Sequence, residues 1–493
     1  MIDDTKSLFY NYLHLIFGKT VGFGIIQFFS LLLLVRILEP EGYGSYALFT
    51  SVSLVISILT VWPSSSIVRY GREEFITEGS VKKTFWASYW MLLPAFILCF
   101  LLIFTFRAKL SQYIGISESY YYLIFAYILF SNLSLNIPVA FQALGKMKNF
   151  AYLPLIFGTS FLIFLVVIYI NSFSVPVELV ISLLIFSHLL TTIIGLWLLR
   201  KFITPICLSK NWMSKCFSYS WPMAFGGISQ EIVHNVDQIV IRMSMAVTFV
   251  GIYNVAYLLQ NYLIMIPMLS ISLMFPLMTS LIVTKEEAKI SQYIKNYAPQ
   301  IVFTWALLVS FFLIFTPEIF RLFGSDYAAA SFPFTILLIS IAFRIFIIIE
   351  SPVLASYGLI KQAVSIGVAI SAINLCLDFL LIPRIGIPGA AVATTIAFVS
   401  GACARTFILK KKLGVNNFKS YPWLYPIIVS FIGSVFMKAL VPRVVFLAMV
   451  IAISLLVARR STIFNRESLA ILDFIDMPIL VRQTIKKVYS FVI

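Results

Sequence analysis

Apolar runs of about twenty residues recur along the whole chain, each closed by charge, Gly or Pro. Taken as helices that cross a bilayer, they predict fourteen spans. The first six lie at 12–35, 44–67, 84–106, 120–143, 150–170 and 178–200. Six more follow at 217–242, 248–275, 299–317, 330–354, 362–382 and 387–409, and a last pair at 421–439 and 442–458. The runs are continuous rather than alternating, which excludes the strands of a membrane barrel. No connection is long enough for a soluble catalytic domain. The fold class expected is therefore an all-α polytopic membrane protein.

Composition sharpens this picture. Apolar residues make up 61% of the 493 and charged residues 11%, against roughly 45–50% and about 25% in soluble domains. A soluble enzyme, a disordered chain and a disulfide scaffold are all excluded. The five cysteines form no CxxC pair, so no zinc site is indicated. The net charge of +16 would suggest nucleic acid in a soluble protein. Here it marks inner loops or a cavity for an anion, and no nucleic-acid partner is expected. With the N-terminus placed in the cytoplasm, 26 Lys and Arg fall in inner loops and tail, 8 fall outside, and Lys19 and Arg344 lie within spans. That asymmetry favours both termini on the inner side of a bacterial cytoplasmic membrane. The start, MIDDTKSLFYNYLHLIFGK, has no cleavage signature and reads as an uncleaved first helix.

The chain also repeats itself. Gly44 and Tyr46 of RILEPEGYGSYALF return as Gly251 and Tyr253 of RMSMAVTFVGIYNVAY, 207 residues later. PVAFQALGK from Pro138 returns as PVLASYGLIK from Pro352. Six spans per repeat give both copies the same orientation, related by an axis along the membrane normal. The expected organisation is one six-helix bundle at 1–210, a second at 211–415, an extra helix pair at 416–460 and an amphipathic tail at 461–493. In the tail, Arg482, Lys486 and Lys487 oppose an apolar side. It either lies on an anionic leaflet or packs under the bundle.

Ionisable groups within spans are costly and so informative. Gly227, Glu231, His234 and Gln238 form one stripe of the seventh span, with Asp237 at its border. The stripe faces a polar cavity or joins neighbouring helices through pairs with Lys19 or Arg344. Lys19 sits near the start of the first span with Gln27 on a similar side, and either snorkels or meets a phosphate. Arg344 is deeper, and either pairs with a carboxylate or binds an anion. Glu350 lies six residues further on, well round that helix. Gly367, Ser371, Asn374 and Asp378 share one face of the eleventh span, for close packing or for a coupling ion at Asp378. His188 reads as a satisfied interior histidine. No phosphate loop, dinucleotide fingerprint or HExxH is present, so neither a cofactor nor a bound metal is expected.

Three segments resemble the Wzx-type flippases that export O-antigen and capsule repeat units. They are RILEPEGYGSYALFTSV, then DQIVIRMSMAVTFVGIYNVAYLL from Asp237, and IPRIGIPGAAVATTIAF from Ile382. That family belongs to a wider superfamily with multidrug exporters and lipid II flippases. The resemblance implies a two-bundle, V-shaped fold that flips an undecaprenyl-pyrophosphate-linked oligosaccharide to the outer leaflet by alternating access. It implies cationic cavity residues for the pyrophosphate and anionic sugars. Lys19 and Arg344 are the candidates by position, with Gln27, His234 and Gln238 as further cavity residues. Glu231, Asp237, Glu350 and Asp378 are carboxylates for ion coupling, by H+ or Na+, or for structure. Membrane lipids and polymerase or assembly proteins are the other expected partners. Fourteen spans depart from the twelve common in O-antigen flippases. A cation-coupled drug antiporter on the same fold is the main alternative. A glycosyltransferase or polymerase lacks the loop its chemistry needs, and a non-catalytic scaffold remains open.

Overall fold

The computed structural model describes residues 14–114, 120–437, 439–461 and 463–464. Among them every regular element is helical and no strand occurs. A π-helical turn, Leu15–Gly22, leads into α1 (Phe23–Val61), α2 (Ser64–Glu78), α3 (Lys82–Thr105) and α4 (Arg107–Ile114). Then come α5 (Tyr120–Ala143), α6 (Met147–Ile170), α7 (Val177–Ile203), α8 (Lys210–Ser244) and α9 (Val247–Val283). Two short helices, α10 (Glu287–Gln292) and a π-helical Tyr293–Tyr297, precede α11 (Ala298–Ile314) and α12 (Thr316–Arg321). A 3-10 turn, Ser325–Ala330, leads to α13 (Ser331–Ser356), α14 (Ile360–Ile385) and α15 (Ile387–Leu413). The 3-10 segment Phe418–Leu424 then enters α16 (Tyr425–Phe436) and α17 (Leu440–Arg460). Helix is what lipid demands, because each backbone donor and acceptor must be satisfied within its own segment. Very large side chains stay exposed on the outer helix faces, including Ile170 at 73%, Val441 at 72% and Phe436 at 76%. Exposure of this extent fits lipid contact in a multi-pass membrane protein.

Eleven helices among the described residues are long and apolar enough to span a membrane, against fourteen expected. The difference has three sources. The first two expected spans are counted once, as Phe23–Thr60. That element is broken at Glu39, where φ is 54° and ψ 174°, just before Pro40. A straight helix of 39 residues would run about 58 Å, twice the bilayer core. Yet Gln27 and Ser30 line the same small cavity as Tyr43 and Tyr46, so the chain turns back at the break. The expected span 217–242 forms as α8, but its polar stripe keeps it out of the apolar set. The expected span 421–439 is mostly 3-10 turn plus the twelve-residue α16, too short to cross alone. The amphipathic tail expected at 461–493 lies, apart from its first residues, outside the described residues.

The helices group into two compact units, one drawn from Asn11–Tyr262 with Ser371–Ala393, the other from Leu263–Ile370 with Thr394 onward. In the first, Ile67, Phe85, Ile137, Phe141 and Leu199 form a packed core. The carboxylate of Glu74, fully buried, accepts the backbone N–H of Lys83 and of Thr84, each at 2.8 Å. It thereby caps the first turn of α3, whose N–H groups have no partner within the helix. The last part of α14 belongs to this unit, and Ser371 Oγ donates to Ser229 O of α8 at 2.8 Å. Between α14 and α15 the chain turns on Gly386, whose φ of 68° only glycine adopts without strain.

In the second unit, Trp305 Nε1 donates to Ile341 O across α11 and α13. Arg443 of α17 is 6% exposed and its Nη1 reaches both carboxylate oxygens of Glu318, at 2.7 and 2.9 Å. The loop before α16 is fastened by Glu350. Its Oε1 accepts from Thr406 Oγ1 at 2.7 Å and from Asn417 Nδ2 at 2.8 Å. Tyr421 stacks on Phe346 with centroids 3.9 Å apart.

Candidate functional site

The stripe expected on α8 is largely turned toward protein. Asp237 is fully buried. Its Oδ2 accepts from Tyr253 OH at 2.5 Å, and its Oδ1 from the Gln238 backbone N–H at 3.1 Å. Gln238 is 2% exposed and its Oε1 accepts from Ser51 Oγ at 2.7 Å. His234 Nδ1 is hydrogen bonded to Tyr257 OH. Glu231 is half-buried and accepts from Asn235 Nδ2 at 2.8 Å. Tyr253 and Tyr257 sit one turn apart on α9, so the two helices are zipped by two adjacent tyrosines.

Asp378 faces the same interior from α14. It is fully buried, and neither carboxylate oxygen has a hydrogen-bond partner among the described residues. Asp237 is close enough to repel it electrostatically. Asn374, one turn earlier on α14, is also buried. Burying two carboxylates together is expensive unless a proton or a cation offsets their charge. Among the described residues no group of three or more His, Cys, Asp or Glu could hold a metal ion. The donors present are therefore two carboxylates with an amide nearby, which suits a proton or a monovalent cation better than a transition metal.

The other sequence candidates are spread over the fold. Lys19 lies in the π-helical turn Leu15–Gly22, and its side chain lies outside the described residues. Arg344 of α13 is half-buried in the second unit, its guanidinium carbon 4.6 Å from the centroid of Phe398. Glu350, one and a half turns further along α13, is consumed in holding the loop before α16. Gln27 is half-buried and lines a cavity of about 260 Å³ in the first unit. His188 lines it too, held by Ser134 Oγ at 2.7 Å and stacked on Phe157 at 4.0 Å.

That cavity was not visible in the sequence. Besides Gln27 and His188, its polar lining is Ser30, Tyr43, Tyr46, Tyr127 and Tyr262, drawn from α1, α5 and α9. Single tyrosines in apolar helices carry no spacing signal, and only the reversal of α1 brings six of its residues together.

A profile described as "Polysaccharide biosynthesis protein" matches residues 10–282. The chain belongs to this family. No curated protein matches it significantly in sequence. Solved structures agree on the fold. The lipid II flippase MurJ in an inward closed conformation gives a TM-score of 0.68 at 15% identity, covering 90% of this chain and 100% of that one. An inward-facing multidrug resistance MATE family transporter of the MOP superfamily gives 0.64 at 14%, covering 85% and 98%. The Vibrio cholerae MATE transporter VcmN in its bent form gives 0.52 at 14%, covering 87% and 98%. These neighbours are described as transporters and a flippase, and what this chain shares with them is the fold.

Proposed function

We propose that the protein flips an undecaprenyl-pyrophosphate-linked oligosaccharide from the cytoplasmic to the outer leaflet, by alternating access, for O-antigen or another surface polysaccharide. The family match over residues 10–282 carries this reading, because it ties a transporter fold to glycan assembly. The proposed working parts are a six-helix bundle at 1–210, its repeat at 211–415 and the helix pair at 416–460. Both termini would lie in the cytoplasm, as the loop cations favour.

In this reading Lys19 and Arg344 meet the pyrophosphate and anionic sugars. Charge-assisted contacts of that kind are the strong ones. Gln27, His234 and Gln238 belong to the polar path. Asp237 and Asp378 carry the coupling H+ or Na+, since the unpartnered oxygens of Asp378 need a positive charge nearby. Glu231 and Glu350 hold structure through Asn235, Thr406 and Asn417. Membrane lipids surround the exposed helix faces, and polymerase or assembly proteins would receive the product.

The test is flipping of a radiolabelled undecaprenyl-pyrophosphate oligosaccharide in liposomes, with and without a proton or sodium gradient. Transfer to the outer leaflet that falls in Lys19→Ala and Arg344→Ala supports the reading. The second reading, a cation-coupled antiporter of organic cations, draws on the MATE-like fold and on Asp378. No glycolipid transfer, together with gradient-driven efflux of tetraphenylphosphonium, would favour it.

A further inference from the structure

The cavity beside Gln27 has a chemistry that neither the pyrophosphate nor the coupling ion explains. Its described walls carry no Asp, Glu, Lys or Arg. Glu231 acts on Tyr127 from outside the wall, with its carboxylate engaged by Asn235. What the walls do carry is hydroxyl groups over aromatic faces. Tyr127 and Tyr262 each stand close enough to Tyr46 to act on it electrostatically. Tyr46 and Tyr127 donate to no described residue, and Tyr262 OH reaches only the backbone O of Gln27, at 3.5 Å. Ser30 is 2% exposed, and its Oγ has no hydrogen-bond partner among the described residues. In the same lining Phe157 and Phe161 lie nearly parallel, 4° between planes and 6.5 Å between centroids, with His188 stacked on Phe157.

We infer that this pocket binds a single neutral sugar ring. A pyranose presents an apolar C–H face and a rim of hydroxyls. The phenylalanine wall matches the first, and the tyrosine and serine hydroxyls match the second. A buried hydroxyl left unpaired is costly, so the site favours an occupant that both donates and accepts. A phosphate fails here because no cation stands in the wall. An organic cation gains a cation–π contact but loses its hydration with no carboxylate in the wall to replace it. The volume of about 260 Å³ sits below the usual range of roughly 300–1,000 Å³ for drug-sized ligands, which limits the occupant to one ring. That the ring belongs to the transported glycan rests on the proposed function. The pocket would then grip one sugar while the pyrophosphate is held elsewhere.

The experiment measures binding of methyl glycosides of glucose, galactose and N-acetylglucosamine to the full protein in nanodiscs, by saturation-transfer NMR. Tyr46→Phe with Tyr127→Phe keeps both rings and removes both hydroxyls. Ser30→Leu fills the pocket, and Cys376→Ser, exposed on α14, is the control. Thermal unfolding of each variant establishes that it is folded. The expected result is saturable binding of at least one glycoside, weakened about tenfold in the double tyrosine variant, abolished in Ser30→Leu and kept in Cys376→Ser. Binding of tetraphenylphosphonium in place of every glycoside would overturn the inference. So would no binding, or glycoside binding indifferent to these substitutions. Glycoside binding does not depend on flipping, so glycolipid transfer without pocket binding defeats this inference alone. Pocket binding without transfer defeats the proposed function instead.

Discussion

Gly44 and Gly251, equivalent positions of the sequence repeat, pack backbone against backbone. A Cβ on Gly44 would stand 2.1 Å from the carbonyl oxygen of Val247, and one on Gly251 would stand 2.9 Å from the backbone nitrogen of Gly44. The neighbouring Tyr43 OH donates to Asn254 Oδ1 at 2.5 Å, sealing the contact. The two copies of the motif thus meet at the glycine that each contributes.

Because both obstacles are backbone, no side chain can move aside. Gly44→Ala and Gly251→Ala should each destabilise the protein by about 1–3 kcal/mol, the usual cost of overpacking. Together they should cost less than the sum, since one separation relieves both. Thermal unfolding in detergent checks this. Wild-type stability in either single variant would mean that the helices part more easily than the packing indicates.

Asp378 and Asp237 predict a loss of coupling without a loss of substrate. Under the proposed function, Asp378→Asn removes the charge while keeping the shape. Stimulation of transport by a proton or sodium gradient should fall at least about tenfold, in the range of ordinary coupling energies. Binding of the glycolipid should persist. Gradient stimulation that survives in both Asp378→Asn and Asp237→Asn would remove this pair from the coupling role.

The Arg443–Glu318 bridge predicts an asymmetric pair of outcomes. Arg443→Ala leaves a poorly hydrated carboxylate behind and should cost about 3–5 kcal/mol. Arg443→Met combined with Glu318→Leu should recover most of that, because two apolar groups need no partner. Melting temperatures of the three proteins separate these cases.

Glu74 predicts a local effect. Glu74→Ala frees two N–H groups at the start of α3 and should cost about 1–2 kcal/mol. Glu74→Gln keeps one accepting oxygen and should lose less. Hydrogen exchange at the Lys83 and Thr84 amides should quicken in the order wild type, Gln, Ala.

The sequence announced the helices well because lipid imposes one rule on every residue of a span. It announced the reversal as well, in the separate spans 12–35 and 44–67; that the turn at Glu39 is made with no loop did not show, since Glu-Pro reads as the end of a run. The stripe Glu231, His234, Gln238 was legible from spacing, yet its partners Asn235, Tyr257 and Ser51 were not. A periodicity names a face of a helix, and which neighbour covers it is decided by contacts as distant as 187 residues. Arg443 was counted among the loop cations and is instead buried against Glu318. Tally rules treat each cation as solvated, so they miss one that a folded neighbour has taken up.

The tie from Glu350 to Asn417 and Thr406 bears on the history of the chain. Ancestors or cousins that stop after the twelfth span would have no Asn417 to meet that buried carboxylate. In them, position 350 should hold an apolar or small residue, and an acid there should appear only together with the extra helix pair. A glutamate in the middle of an apolar helix would then serve as a marker, readable in any relative's sequence, of whether the terminal hairpin was gained or lost.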